Sequence, residues 1–333
     1  MENKKFITCV VIIIIIAVII IFSSINDDAG QILAEYSIKD YFKKTRLINP
    51  KYINLIAKMK IDSIEVAPCH TINFDKGKHY VRFYLRKTKT TSEMFNMITD
   101  LVSIKLDMFD ASDVIDMSDM FSLCFSLKEV NLLKLKTNNV KYMKGMFFGC
   151  SSLKVFVFDQ LNLESVENMQ DMFSGCGLER ISLSQFKTKN VTTTKSMFQN
   201  CRNLEDVTIY DEFKTTNVVD MSYMFSGCTK LKYVDIGYFD TKNVEKMFQM
   251  FYGCSELTSL SLKNFKTPKV NSMGEMFYNC ESLKYLDISN IDTSYTPKIL
   301  NEYGYFGTII TNRSFGNKIK SQIGTFWSMK FID

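Results

Sequence analysis

Phe213-Lys214-Thr215-Thr216-Asn217-Val218-Val219-Asp220-Met221-Ser222-Tyr223-Met224-Phe225-Ser226-Gly227-Cys228-Thr229-Lys230-Leu231-Lys232-Tyr233-Val234-Asp235-Ile236 is one copy of a unit that the chain repeats, and its reading decides the fold. The Met-Phe pair inside it recurs at Met94, Met120, Met146, Met172, Met197, Met224, Met250 and Met276, with spacings of 26, 26, 26, 25, 27, 26 and 26 residues. Four residues after the methionine stands a cysteine in seven of the eight copies: Cys124, Cys150, Cys176, Cys201, Cys228, Cys254 and Cys280. Three further on comes a leucine, at Leu101, Leu127, Leu153, Leu204, Leu231, Leu257 and Leu283; in the remaining copy Gly177-Leu178 closes the gap one residue early. A fixed period of this length marks stacked supersecondary units.

Each part of the unit has a physical job. Leu231 to Ile236 alternates apolar and polar residues, the pattern of a short half-buried strand. Its counterparts are Leu204 to Ile209, Leu257 to Leu262 and Leu283 to Ile288. Phe239-Asp240-Thr241-Lys242-Asn243 is a polar bend closed by an apolar anchor. Val244, Met247, Met250 and Phe251 follow on one face of a predicted short helical turn. Asn243 stands where a side chain caps the amides of such a turn, as do Asn139, Ser165, Asn190 and Asn217. Gly149, Gly175, Gly227 and Gly253, replaced by Asn200 and Asn279 in two copies, suit the left-handed residue that ends it. One such unit cannot bury its apolar face alone, so neighbours must stack. The expected fold is an α/β repeat solenoid with a parallel sheet of short strands along one side.

The phrase Phe-Asp-Thr-x-Asn-Val-x-x-Met-x-x-Met-Phe-x-Gly-Cys-x-x-Leu resembles the BspA-like leucine-rich-repeat surface proteins, over about residues 80–296. The resemblance implies a leucine-rich-repeat solenoid at a cell surface, in a family several of whose members are taken to be adhesins or ligand binders. It supplies no ligand, because the shared motif is the buried scaffold. Ile98 stands in place of cysteine in the first copy and Leu123 in place of glycine in the second.

Outside the repeats, Phe6 to Phe22 form a run of 17 apolar or near-apolar residues behind Lys4 and Lys5. A helix of that length spans about 25 Å, at the short end for a bilayer. The run exceeds the usual secretory h-region and lacks an Ala-x-Ala site behind it. A signal anchor and transmembrane helix over residues 1–26 is therefore expected in preference to a cleaved signal. The lysines keep the amino terminus cytoplasmic and place the repeats outside; cleavage would make the protein secreted. Residues 27–79 form a basic stalk or N-terminal subdomain, 80–296 the solenoid of about eight repeats, and 297–333, with Trp327, a C-terminal cap. Tyr80 to Leu85 is the strand expected to cap the first turn.

Charge narrows the partners. Residues 31–90 hold 13 Lys or Arg against 5 Asp or Glu, whereas residues 91–333 hold 26 against 28. The bulk is near neutral, which argues against nucleic acid. The basic stretch is read as a solvated surface, with anionic head groups as the other reading. The membrane is the first partner, through residues 6–22, and an extracellular protein or glycan the second.

The chemistry of catalysis is missing. Seven cysteines one repeat apart form a buried ladder of free thiols, since parallel side chains on successive turns have poor disulfide geometry. With only His70 and His79 and no Cys-x-x-Cys, no metal or other cofactor is expected. Cys69 and His70 are adjacent, where side chains diverge, so a thiol enzyme is not expected either. Asp116, Asp220 and Asp235 recur with the repeat as bend positions, and Met143, Met169, Met221, Met247 and Met273 as core. Of the two glycosylation sequons, at Asn190 and Asn312, the second is the expected acceptor, because at Asn190 a glycan would compete with the predicted capping bond.

A ligand would meet the strand positions that point away from the core. The candidates are Arg180, Asp206, Thr208, Tyr233, Asp235, Tyr285 and Asp287, with Tyr233 and Tyr285 as aromatic anchors. Glu129, Asn131, Ser182, Ser259 and Ser261 share the face. The expected function is a membrane-anchored surface protein that binds a protein or glycan; the alternative is a structural envelope protein that self-associates without a foreign ligand.

Overall fold

A computed structural model describes residues 28–154, 156, 161–292, 294, 297–300, 307–323 and 327–332. The apolar run Phe6–Phe22, on which the anchor rests, lies outside these residues. Among the described residues no helix is long and apolar enough to cross a membrane.

The repeats coil into a β-solenoid of eight turns. Each coil carries one rung at Thr90, Asp116, Tyr142, Asn168, Thr193, Asp220, Lys246 and Ser272, paired in parallel from one coil to the next. On the opposite side run short parallel strands: β7 (Leu101–Phe109), β8 (Glu129–Asn131), β9 (Arg180–Ser182), β10 (Asp206–Thr208), β11 (Tyr233–Val234), β12 (Ser259–Ser261) and β13 (Tyr285–Ile288). In β8, β9, β10 and β12 only the central apolar residue is buried, as alternation requires.

The Met-Phe segment is not helical. Met224 N–H donates to Met221 O at 3.3 Å and Cys228 N–H to Phe225 O at 3.1 Å, which are i→i+3 turns. The third residue of each turn has positive φ, 61° at Tyr223 and 75° at Gly227, as a type II turn demands. The alternate amides leave the coil altogether. Met221, Tyr223, Phe225 and Gly227 donate to Lys246, Phe248, Met250 and Tyr252 of the next coil at 2.7–2.9 Å. Two consecutive turns point side chains inward every three or four residues, the spacing a helical face also shows. The only α-helix among the described residues is α1 (Arg313–Ile319), beyond the repeats. The asparagines therefore cap nothing. Asn217 Nδ2 donates to Lys189 O at 2.8 Å and Asn243 Nδ2 to Thr216 O at 2.9 Å, each tying its coil to the one before. The left-handed glycine and asparagine positions are where the sequence places them, at the end of a turn instead of a helix.

Inside, like stacks on like. Phe95, Phe121, Phe147, Phe173, Phe198, Phe225, Phe251 and Phe277 form a column with ring centroids 5.4–5.9 Å apart and nearly parallel planes. The seven cysteines line the same core, and each thiol donates to the phenylalanine carbonyl of an earlier coil at 2.9–3.2 Å. Burial pushes the Cys124, Cys201 and Cys280 thiols up to about 12. All seven are free.

Residues 28–86 form an N-terminal cap. Its strands are β1 (Asp28–Ile38), β2 (Lys43–Arg46), β3 (Ile56–Ile61), β4 (Ile64–Val66), β5 (Thr71–Phe74) and β6 (Gly77–Arg86). The sheet order β4-β3-β6-β1-β7-β8 fuses this antiparallel cap to the solenoid. Tyr80–Leu85 is thus not the capping strand: it lies in β6, and β1 is the strand paired with the first coil. The other side of that coil is closed by the β2–β3 connection. Asn49 N–H donates to Met94 O at 2.8 Å, Arg46 to Asn96 O at 2.6 Å and the Tyr52 hydroxyl to Ser92 O at 2.6 Å. These bonds satisfy carbonyls that an absent ninth coil would otherwise leave bare. At the far end Phe277 N–H donates to Ile299 O at 2.9 Å, and β14 (Gly307–Asn312) and β15 (Trp327–Ile332) extend the parallel sheet.

Candidate binding face

The outer face of the parallel sheet is built by register. Arg180 pairs with Asp206 and Asp206 with Tyr233, so these three side chains form one lateral row. Thr258 N–H donates to Lys232 O at 3.3 Å, bringing Ser259 beside Tyr233, and Ser259 pairs with Tyr285. Tyr233 and Tyr285 therefore stand two strand spacings apart, about 10 Å. Thr208 and Asp235 lie in the adjacent row. Tyr233 is 57% exposed and Tyr285 40%, large values for aromatic side chains. Arg180, Asp206 and Asp235 are exposed and Thr208 is half-buried.

Asp287 leaves the set. It is 9% exposed, and its Oδ1 accepts the Ser289 N–H at 3.1 Å, so it closes a turn. Its row is also continued by β14, where Asp287 pairs with Ile310. The sequence could not show this, because β14 lies outside the repeat. Asp235 has a similar bond, accepting the Gly237 N–H at 2.9 Å, but stays exposed. Asp116 and Asp220 accept Ser118 and Ser222 N–H in the same way, as bend residues.

Tyr233 borders a groove of about 450 Å³ whose other walls are Asp235, Gly237, Tyr238, Ser261, Lys263 and Asn264. Tyr238, 51% exposed, is the residue that strand alternation missed, because it sits on the bend after the strand. The signal was present: it is an aromatic residue directly before the buried anchor Phe239. Tyr210, 52% exposed, is placed similarly ahead of Phe213. Asn264 Nδ2 donates to Gly237 O at 2.8 Å and fixes the groove floor across two coils.

The other chemistry-bearing residues stay apart. Cys69 is half-buried against the cap core, burial raises its thiol, and among the described residues no hydrogen bond joins it to His70. Among the described residues no three His, Cys, Asp or Glu side chains converge as metal ligands would. The sequon asparagines are both engaged. Asn190 Nδ2 donates to Glu164 O at 2.7 Å. Asn312 donates to Ser289 O and Ile291 O and accepts the Phe315 N–H, so it is no freer than Asn190.

Residues 74–180 and again 177–291 match the family described as "Mycoplasma protein of unknown function, DUF285". The chain belongs to this family. The two matches together run from the end of β5 through all eight coils, so the family is defined by the coil scaffold, while β1 of the cap and the strands after Asp292 lie outside it. No curated protein and no solved structure matches the chain.

Proposed function

We propose that this chain is a membrane-anchored, BspA-like surface protein whose sheet face binds a protein or glycan, and that it acts as a binding module with no catalytic step. One observation supports the reading above others. The inward residues of the coils are nearly the same from copy to copy, whereas the outward row changes at every strand: Glu129, Arg180, Asp206, Tyr233, Ser259, Tyr285. A scaffold held constant inside and varied outside suits display of a composite surface, and the exposed tyrosines are the side chains most able to anchor a partner.

Protease shaving of intact cells, read with an antibody against the repeats, tests the location. Loss of the repeats with residues 6–22 still in the membrane is expected; protection until the cells are permeabilised would reject it. The binding role is tested with the Tyr233→Ala, Tyr285→Ala double variant, expected to lose partner affinity at least tenfold. A purified protein that only self-associates, with the double variant unchanged, would favour an envelope lattice instead.

A further inference from the structure

The basic stretch near the amino terminus is organised by the cap into one surface. On β6 the residues Lys78, Tyr80, Arg82, Tyr84 and Arg86 point outward, while Val81, Phe83 and Leu85 are buried. Cations and aromatic rings thus alternate along a single strand at about 7 Å intervals. Across the strands the register makes a second line. Lys60 pairs with Arg82, Arg82 with Leu33 and Leu33 with Lys105, so three cations lie on one face over about 15 Å.

Neighbouring charges are consumed and these are not. Lys58 pairs with Glu65 at 2.6 Å, Lys78 with Glu35 at 2.9 Å, and Arg86 donates to Asn54 O at 2.9 Å. Lys60, Arg82 and Lys105 form no ion pair among the described residues. Arg82 and Lys105 instead line a pocket of about 150 Å³ with Gln31, Leu33, Asp107 and Met108. Gln31 Nε2 donates to Met108 Sδ at 2.8 Å, but Gln31 Oε1 is buried without any donor.

We infer that this cap face binds an anionic polysaccharide, one bearing sulfate or uronate groups. The acidic groups lie on Lys60, Arg82 and Lys105, and the apolar faces of the sugar rings rest on Tyr80 and Tyr84. A phosphate or sulfate alone has no apolar face for the tyrosines, of which Tyr80 is 46% exposed; a sugar ring has one. Single-stranded nucleic acid also uses cations and stacking, so it is the class the experiment must separate. The choice of a glycan rests on the external location proposed above.

Heparin is the probe, applied to the full chain in non-ionic detergent. Retention at physiological salt is expected, with none on uncharged dextran. The Arg82→Ala, Lys105→Ala double variant should lose at least tenfold in affinity and flatten the salt dependence by about two counterions. Tyr80→Ala should weaken heparin binding several-fold at an unchanged salt slope. Lys187→Ala with Lys284→Ala, an equal charge loss on the solenoid, should change affinity less than twofold. No retention, equal loss in the solenoid control, or tighter binding of single-stranded DNA with the same variant dependence would overturn the assignment. A native thiol titration shows that each variant is folded. Heparin binding is read on purified protein and protease shaving on cells, so either result can fail without the other.

Discussion

Each ladder cysteine is held by two neighbours at once. Cys254 Sγ donates to Phe225 O at 3.2 Å, and that carbonyl also accepts the Cys228 N–H at 3.1 Å, so both of its lone pairs are used. Seven thiols so placed are out of reach of solvent and raised by burial, which removes the reactive thiolate. Of nine cysteines in the chain, Ellman's reagent should therefore detect at most two before unfolding and all nine after it; early reaction of a third would contradict the ladder. Cys254→Ala should cost about 1–2 kcal/mol in urea unfolding, from a lost hydrogen bond and a small void. Gly253 tests the backbone at the same scale. Its φ is +71°, and Asn200 and Asn279 occupy the same position at +58° and +59°. Gly253→Asn should be tolerated within about 1 kcal/mol, whereas Gly253→Val should cost about 2 kcal/mol or more, because a β-branched residue resists that conformation. This position was legible from composition alone: the Gly-or-Asn alternation at one point of the repeat has few other causes.

The elements were less legible. The spacing of Val244, Met247, Met250 and Phe251 fits a helical face and a pair of successive turns equally well, and only the destination of the amides separates them. In this fold they go to the next coil, so stacking neighbours supply what a helix would have bonded internally. The cap contains an element that titrates. His79 stacks on Phe74 at 4.1 Å, its Nδ1 faces Asp62 Oδ2 at 2.8 Å and its Nε2 faces Asp75 O at 2.9 Å. Both ring nitrogens meet acceptors, so the clasp is complete only when the imidazole carries two protons. Partial burial opposes the charge, but the bonds to Asp62 and the Asp75 carbonyl outweigh it and raise the pKa. A raised folded pKa means that the contribution is fully present below the unfolded value of about 6.5 and is lost as pH rises through the folded one. Hydrogen exchange over residues 56–86, corrected for intrinsic rates, should accelerate above neutral pH in the native protein. His79→Gln should abolish that pH dependence; an unchanged profile would show that the clasp does not hold the cap.

For the whole molecule, stability is a sum over coils and the interfaces between them. Deleting residues 213–238 removes one full coil and joins Glu212 to Phe239, which restores the sequence Glu-Phe found at Glu212-Phe213. This variant should fold, with its phenylalanine column one ring shorter and its unfolding midpoint modestly lower. Deleting residues 213–225 breaks the register of every later coil, and should give a protein with exposed thiols and no cooperative transition. Equal stability of the two deletions would refute the nearest-neighbour picture.

The repeat period, the inward residues, the parallel sheet and the Gly-or-Asn left-handed position were determined by the sequence itself, because each is a local requirement restated along the repeats; the second left-handed position, at Tyr223 and its counterparts, carries no such signature. The exposed strip from Arg180 to Tyr285 followed from alternation for the same reason. Tertiary structure decided the rest. Asp287 is buried and Tyr238 borders the groove because of segments that lie outside the strand pattern. The corner turns replace helices because the neighbouring coil offers partners for every second amide. The cations of residues 31–90, scattered in sequence among Lys60, Arg82 and beyond to Lys105, become one surface only when β3, β6, β1 and β7 pair. Periodicity reports what a residue faces within its own coil, whereas a surface made of several strands exists only once non-local pairing has set their register.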